Sequence, residues 1–105
     1  ELSVLGAGGV LALACDVADE GSIAAAMSAT LDAFGRVDVC FANAGISGAG
    51  TAIPDITAAG WDHTMAINTR GAALVYKHVS RHMIARAAAG DPGGGQRHHP
   101  DDGRA

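Results

Sequence analysis

The run Val37-Asp38-Val39-Cys40-Phe41 empties directly into Ala42-Asn43-Ala44-Gly45. Five residues dominated by β-branched, aromatic and thiol side chains are too few for a stable helix. They suit a buried strand of a parallel sheet, which is covered on both faces and so loses polar alternation. In open α/β sheets, ligands sit beyond the carboxyl ends of the strands. Small residues placed there let a ligand come close to the backbone.

The flanking segments agree. Val10 to Cys15 is a second short apolar run, preceded by a turn at Gly6-Ala7-Gly8-Gly9. Asp19 can cap a helix that carries Ile23, Met27, Leu31 and Phe34 on one face and closes at Gly35. A Gly/Ser-rich loop from Gly45 to Thr51 follows the second run, with Pro54 soon after it. Thr57 opens a long helical stretch to about Ala89, with Trp61, Met65, Leu74, His78 and Met83 among its bulky residues. Strand, helix, strand, helix is an α/β pattern with a parallel sheet.

From Gly90 onward the composition changes. Gly93-Gly94-Gly95, Pro92, Pro100 and His98-His99 stand there, with no aliphatic residue except alanine. Such a segment cannot bury a face and is expected to be disordered. The expected division is a partial domain over residues 1–94 and a tail over 95–105.

Composition narrows the function classes. The 105 residues carry seven basic and eleven acidic side chains and a formal charge of -4, with 4% aromatics. Without a basic run or a stacking platform, a nucleic-acid partner is not expected. No apolar run is long enough for a membrane span or a secretory signal, so a cytoplasmic location is expected. Cys15 and Cys40 have neither CxxC spacing nor neighbouring ligands, and read as buried free thiols. His78 and His82 stand four apart on a helix without an adjacent glutamate, and no metal site is expected. Gly6-x-Gly8-Gly9 imitates a dinucleotide fingerprint, but the third glycine position holds Leu11, and a strand follows where a helix is needed.

Three features remain in one order: Cys15-Asp16-Val17 after the first run, Asn43-Ala44-Gly45 after the second, and Asn68 within Met65-Ala66-Ile67-Asn68-Thr69-Arg70-Gly71. With the Gly35-Arg36-Val37-Asp38 lead-in, they resemble the short-chain dehydrogenase/reductase family over roughly Gly6 to Gly94. The resemblance implies a partial doubly wound, Rossmann-type parallel sheet and an NAD(P)-dependent oxidoreductase. Such an enzyme moves a hydride between nicotinamide and an alcohol or carbonyl substrate. It implies that Asp16 accepts a hydrogen bond from the adenine amino group with Val17 against the ring. Asn43, Ala44 and Gly45 would line the cofactor, and Asn68 would be the catalytic asparagine, at a helix kink whose freed carbonyl holds a relay water. Ala42 departs from the family, which often has asparagine there. NAD and NADP are not distinguished, because the strand that chooses between them should precede Glu1.

The family also uses a tyrosine with a lysine four residues later, a spacing that stacks both on one helix face. This sequence has one tyrosine, Tyr76, and one lysine, Lys77. Adjacent helical residues diverge by about 100° and cannot form that pair, so both read as helix-surface residues. A strand ending in serine should follow Gly94. Reading Gln96 to Asp102 from the second base of each codon gives a Ser-Val-Ile-Ile-x-Thr-Thr-like run, and a one-nucleotide frameshift near Gly95 is the expected origin of the tail.

In the strand order 3-2-1-4-5-6 the two runs would be strands 3 and 4, separated by two strands that this sequence does not contain. An isolated chain of this kind is expected to be unstable and inactive alone. The alternative is a non-catalytic remnant working as an oligomerisation module through Thr69 to Ala89, the helix expected to join protomers in a homo-oligomer. An epimerase or dehydratase on the same scaffold is a third reading.

Overall fold

The computed structural model describes residues 9–48 and 52–90. Their order is α1 (Glu20–Phe34), a 3-10 turn (Ile53–Asp55), α2 (Ala58–Met65), a π turn (Ala66–Gly71) and α3 (Ala72–Ala88).

α1 is the helix expected from its caps. The Asp19 carboxylate accepts from the Gly21 N–H, and Gly35 ends the helix at φ 83°, its N–H donating to the Leu31 carbonyl at 2.8 Å. Only glycine takes that left-handed backbone without strain. Pro54 falls in the 3-10 turn, where its fixed φ and missing N–H cost nothing. Thr57 caps α2 by accepting from the Gly60 N–H. The helical stretch does reach Ala89, but α2 passes into α3 through the π turn, at the point where Asn68 was expected to disturb it. Such single π turns inside a helix are frequent at functional sites.

α1 packs on α3, and this contact holds the buried centre, Ile23 at 4% exposure and Val79 at 9%. Glu20 at the start of α1 receives Lys77 Nζ at 2.7 Å and His78 Nε2 at 2.8 Å.

The expected strands are not strands. Val10–Cys15 and Val37–Phe41 belong to no ladder, and no β-strand occurs among the described residues. A parallel strand needs a neighbour for its N–H and C=O groups, and in the expected order these two runs are not neighbours. Val37 finds substitutes. Its N–H donates to His82 Nε2 at 3.1 Å, and its carbonyl accepts from Arg86 Nη1 at 2.9 Å. Two side chains of α3 thus do for one residue what a neighbouring strand does for a whole segment. Arg86 also reaches Asp38 Oδ1, which Arg36 holds from the other side. Beyond this clamp Val39 and Phe41 are 84% and 85% exposed.

Burial of both thiols is likewise corrected. Cys15 is exposed and Cys40 half-buried, because no sheet face closes over them. Gly9 has the positive φ of a turn, 71°. Gly6 to Gly8, residues 49–51 of the Gly/Ser loop, and the tail with His98-His99 lie outside the described residues.

Candidate functional site

The first run ends in a turn built by Asp16. Its Oδ1 accepts from the Ala18 N–H at 3.0 Å and its carbonyl accepts from the Asp19 N–H at 3.0 Å. Its own N–H donates to Ser22 Oγ at 2.8 Å. These bonds fasten the turn to the start of α1, so Asp16, Val17 and Ala18 form one local unit. Asp16 remains exposed, while Val17 is half-buried.

Across from this turn lies the exit of the second run. Val17, Phe41, Ala42, Asn43 and Ala44 line a cavity of about 220 Å³, completed by Gly71, Ala72 and Val75. Val17, Asn43 and Ala44 were singled out in the sequence, and the fold brings them to one concavity. Asp16, Gly45 and Asn68 do not line it.

Asn68 sits in the π turn and grips the loop beyond Gly45. Its Oδ1 accepts from the Ile46 N–H at 2.7 Å and its Nδ2 donates to the Ile46 carbonyl at 2.7 Å. The side-chain amide therefore pairs with both main-chain groups of one residue. Gly45 leaves room for it, since a Cβ there would lie 3.3 Å from Asn68 Oδ1 and crowd the amide.

Phe41 and Ala42 were read as the run and its exit without a site role, and Gly71, Ala72 and Val75 were missed. A glycine inside a helical stretch costs about 1 kcal/mol against alanine, which usually signals close packing. That signal was available for Gly71. Nothing local announced the others. Tyr76 and Lys77 lie as expected on the outside of α3, Tyr76 exposed and Lys77 bound to Glu20. His78 and His82 are committed separately, to Glu20 and to the Val37 N–H.

Charge is concentrated between the helices rather than at the cavity. Hydrogen bonds from Lys77 and then His78 hold the Glu20 carboxyl below the usual carboxylate range. Partial burial pushes the Cys40 thiol up. A thiol so shifted is a poorer nucleophile at neutral pH.

Among the described residues no three His, Cys, Asp or Glu side chains cluster to hold a metal ion. Nor is any helix among them long and apolar enough to cross a membrane.

Comparison with known proteins gives this arrangement a context. A family model described as enoyl-(acyl carrier protein) reductase matches residues 3–90. Short-chain dehydrogenase reductase 5 of Arabidopsis thaliana is 40% identical over 76 residues, covering 72% of this chain and 29% of that protein. The 3-ketoacyl-(acyl-carrier-protein) reductase of Brucella melitensis, solved with NADH, superposes at a TM-score of 0.70 with 30% identity, over 79% of this chain and 34% of that one. A metagenomic short-chain oxidoreductase solved with NADP gives 0.67 with 34% identity, over 74% and 36%. The chain spans only 26% to 30% of the length of the first curated relatives it matches. On the strength of the family model and these relatives, the chain belongs to the short-chain dehydrogenase/reductase family.

Proposed function

We propose that this chain carries one wall of the nucleotide site of an NAD(P)-dependent oxidoreductase acting on small alcohol or carbonyl substrates. The observation that carries the reading is the cavity shared by Val17 and the Phe41–Ala44 exit, with the Asp16 turn at one side and the Asn68 grip beyond the other. The donor set fits such a ligand in part. Val17, Ala42, Ala44 and the bare backbone of Gly71 offer an apolar, close-approach surface suited to an aromatic ring, and Asp16 supplies an exposed carboxylate beside it. When bound, the nicotinamide supplies or takes the hydride.

The chain's own residues have narrower tasks. Asp16 accepts a hydrogen bond from the adenine amino group and Val17 packs on the ring. Asn43 and Ala44 line the cofactor from the exit of the run, and Gly45 beside them leaves room for the Asn68 side chain. Asn68 holds the Ile46 loop in place while the π turn frees main-chain carbonyls to hold a water. The tyrosine and lysine of this sequence are adjacent, Tyr76 exposed and Lys77 bound to Glu20, so no proton-transfer pair acts from them, and the 105 residues alone are proposed to be inactive.

Amide chemical-shift mapping of the chain with millimolar NADH tests this. Shifts gathered at Asp16, Val17 and Asn43 to Gly45 are expected; shifts elsewhere, or none, would contradict it. The second reading, an oligomerisation module, is favoured by Tyr76 and Ile84, both exposed on α3. It predicts a stable mixed oligomer with an intact family member in size-exclusion chromatography.

A further inference from the structure

The π turn reaches both loops that flank the cavity. From it Asn68 takes the two main-chain groups of Ile46, 22 residues before it. Two residues later Arg70 Nη1 donates to the Ala18 carbonyl at 3.2 Å, 52 residues before it. Gly71 is buried directly against Val17. A Cβ at Gly71 would lie 2.9 Å from Val17 Cγ2 and 3.1 Å from both Val17 Cβ and the Val17 carbonyl oxygen.

In an α-helix, residues three apart share a face and meet the same neighbour. Asn68 and Gly71 are three apart, yet they meet different loops. The wider π turn opens that angle, so a stretch of four residues addresses the Asp16-Val17-Ala18 turn and the Ile46 loop together. The Asp16 turn is locked internally and to Ser22, so pressure on Val17 displaces Asp16 with it.

We infer that the π turn is a brace setting the separation of the two loops, and that Arg70 and Gly71 are positioning residues for the Asp16-Val17 side. The brace rests on the nucleotide reading only for its purpose; its geometry stands without a ligand. Gly71 acts by having no side chain, since the carbonyl oxygen of Val17 cannot retreat as a flexible side-chain tip would. Arg70 acts by holding Ala18 from the exposed side.

Ligand-free amide spectra of the 105-residue chain test it. Gly71→Ala is expected to shift the Val17 and Ala18 amides and leave Ile46 in place, and Asn68→Ala to do the reverse. Arg70 is exposed, so Arg70→Ala keeps the fold and serves where Gly71→Ala does not; it too should move Ala18 and not Ile46. Equal movement of both loops in each variant, or of neither, overturns the brace. A second readout separates positioning from general loosening. Arg70→Ala should weaken adenosine monophosphate binding about tenfold, the scale of one lost positioned contact, and leave nicotinamide mononucleotide unchanged. Equal loss for both nucleotides overturns the assignment to the adenine side. If the unaltered chain binds neither nucleotide, the proposed function fails, while the ligand-free shifts still decide the brace.

Discussion

The helical pair and the two would-be strands come from the same short sequence and reach opposite outcomes. α1 and α3 satisfy their main chains internally, α1 closes its ends with Asp19 and Gly35, and the contact between the two helices holds the buried Ile23 and Val79. Val10–Cys15 and Val37–Phe41 are as apolar as any segment of the chain, yet they form no ladder. A helix makes its hydrogen bonds within itself, whereas a strand depends on what lies beside it. Hydrophobicity marks a strand but does not make one. The Val37 clamp shows how little outside help is on offer: one residue is held by His82 and Arg86, and two residues later Val39 is open to solvent. Leaving a side chain such as Phe41 outside forgoes about 1.5–3 kcal/mol that burial would supply.

The comparison breaks most readily at the centre of the helical half. Ile23→Ala removes the best-buried side chain and should cost about 2–5 kcal/mol. With so small a centre, that should abolish most of the helical circular-dichroism signal. If the signal persists, something other than the α1–α3 contact holds the helices. Asp19→Ala should cost about 1 kcal/mol, by orphaning the Gly21 N–H, and lower the thermal midpoint without changing the fold. Asp19→Asn should restore most of it.

The smallest effect is electrostatic. Glu20 is held below the usual carboxylate range, so its contribution is present above the unfolded-state value and is lost as pH falls through the lowered folded-state value. Acid should therefore loosen the α1–α3 contact only below the ordinary carboxylate range. Glu20→Gln should flatten that part of the stability profile, and added salt should shrink the difference.

What the sequence disclosed follows the range of the interactions. Asp19, Gly35 and Thr57 act within four residues, and their caps were legible. Asn68 was legible as a disturbance of its helix because asparagine is a poor helix former there. Its partner was not, since nothing in a spacing of 22 residues marks Ile46 as the recipient. The Glu20, Lys77 and His78 cluster, the Val37 clamp and the Arg70 reach to Ala18 join residues 45 to 58 apart, and no local pattern encodes them. The misjudged burial of Cys15 has the same origin. Its apolar neighbours were evident, but the layer to cover it is not among the described elements.

Hydrogen exchange read residue by residue measures the central contrast directly. The amides of α1 and α3 should be protected, with the Val37 N–H slower than its neighbours, while those of Val10–Cys15 and Val39–Phe41 exchange as in an unstructured chain. Protection of both runs comparable to the helices would mean that a sheet forms after all, and would contradict the account.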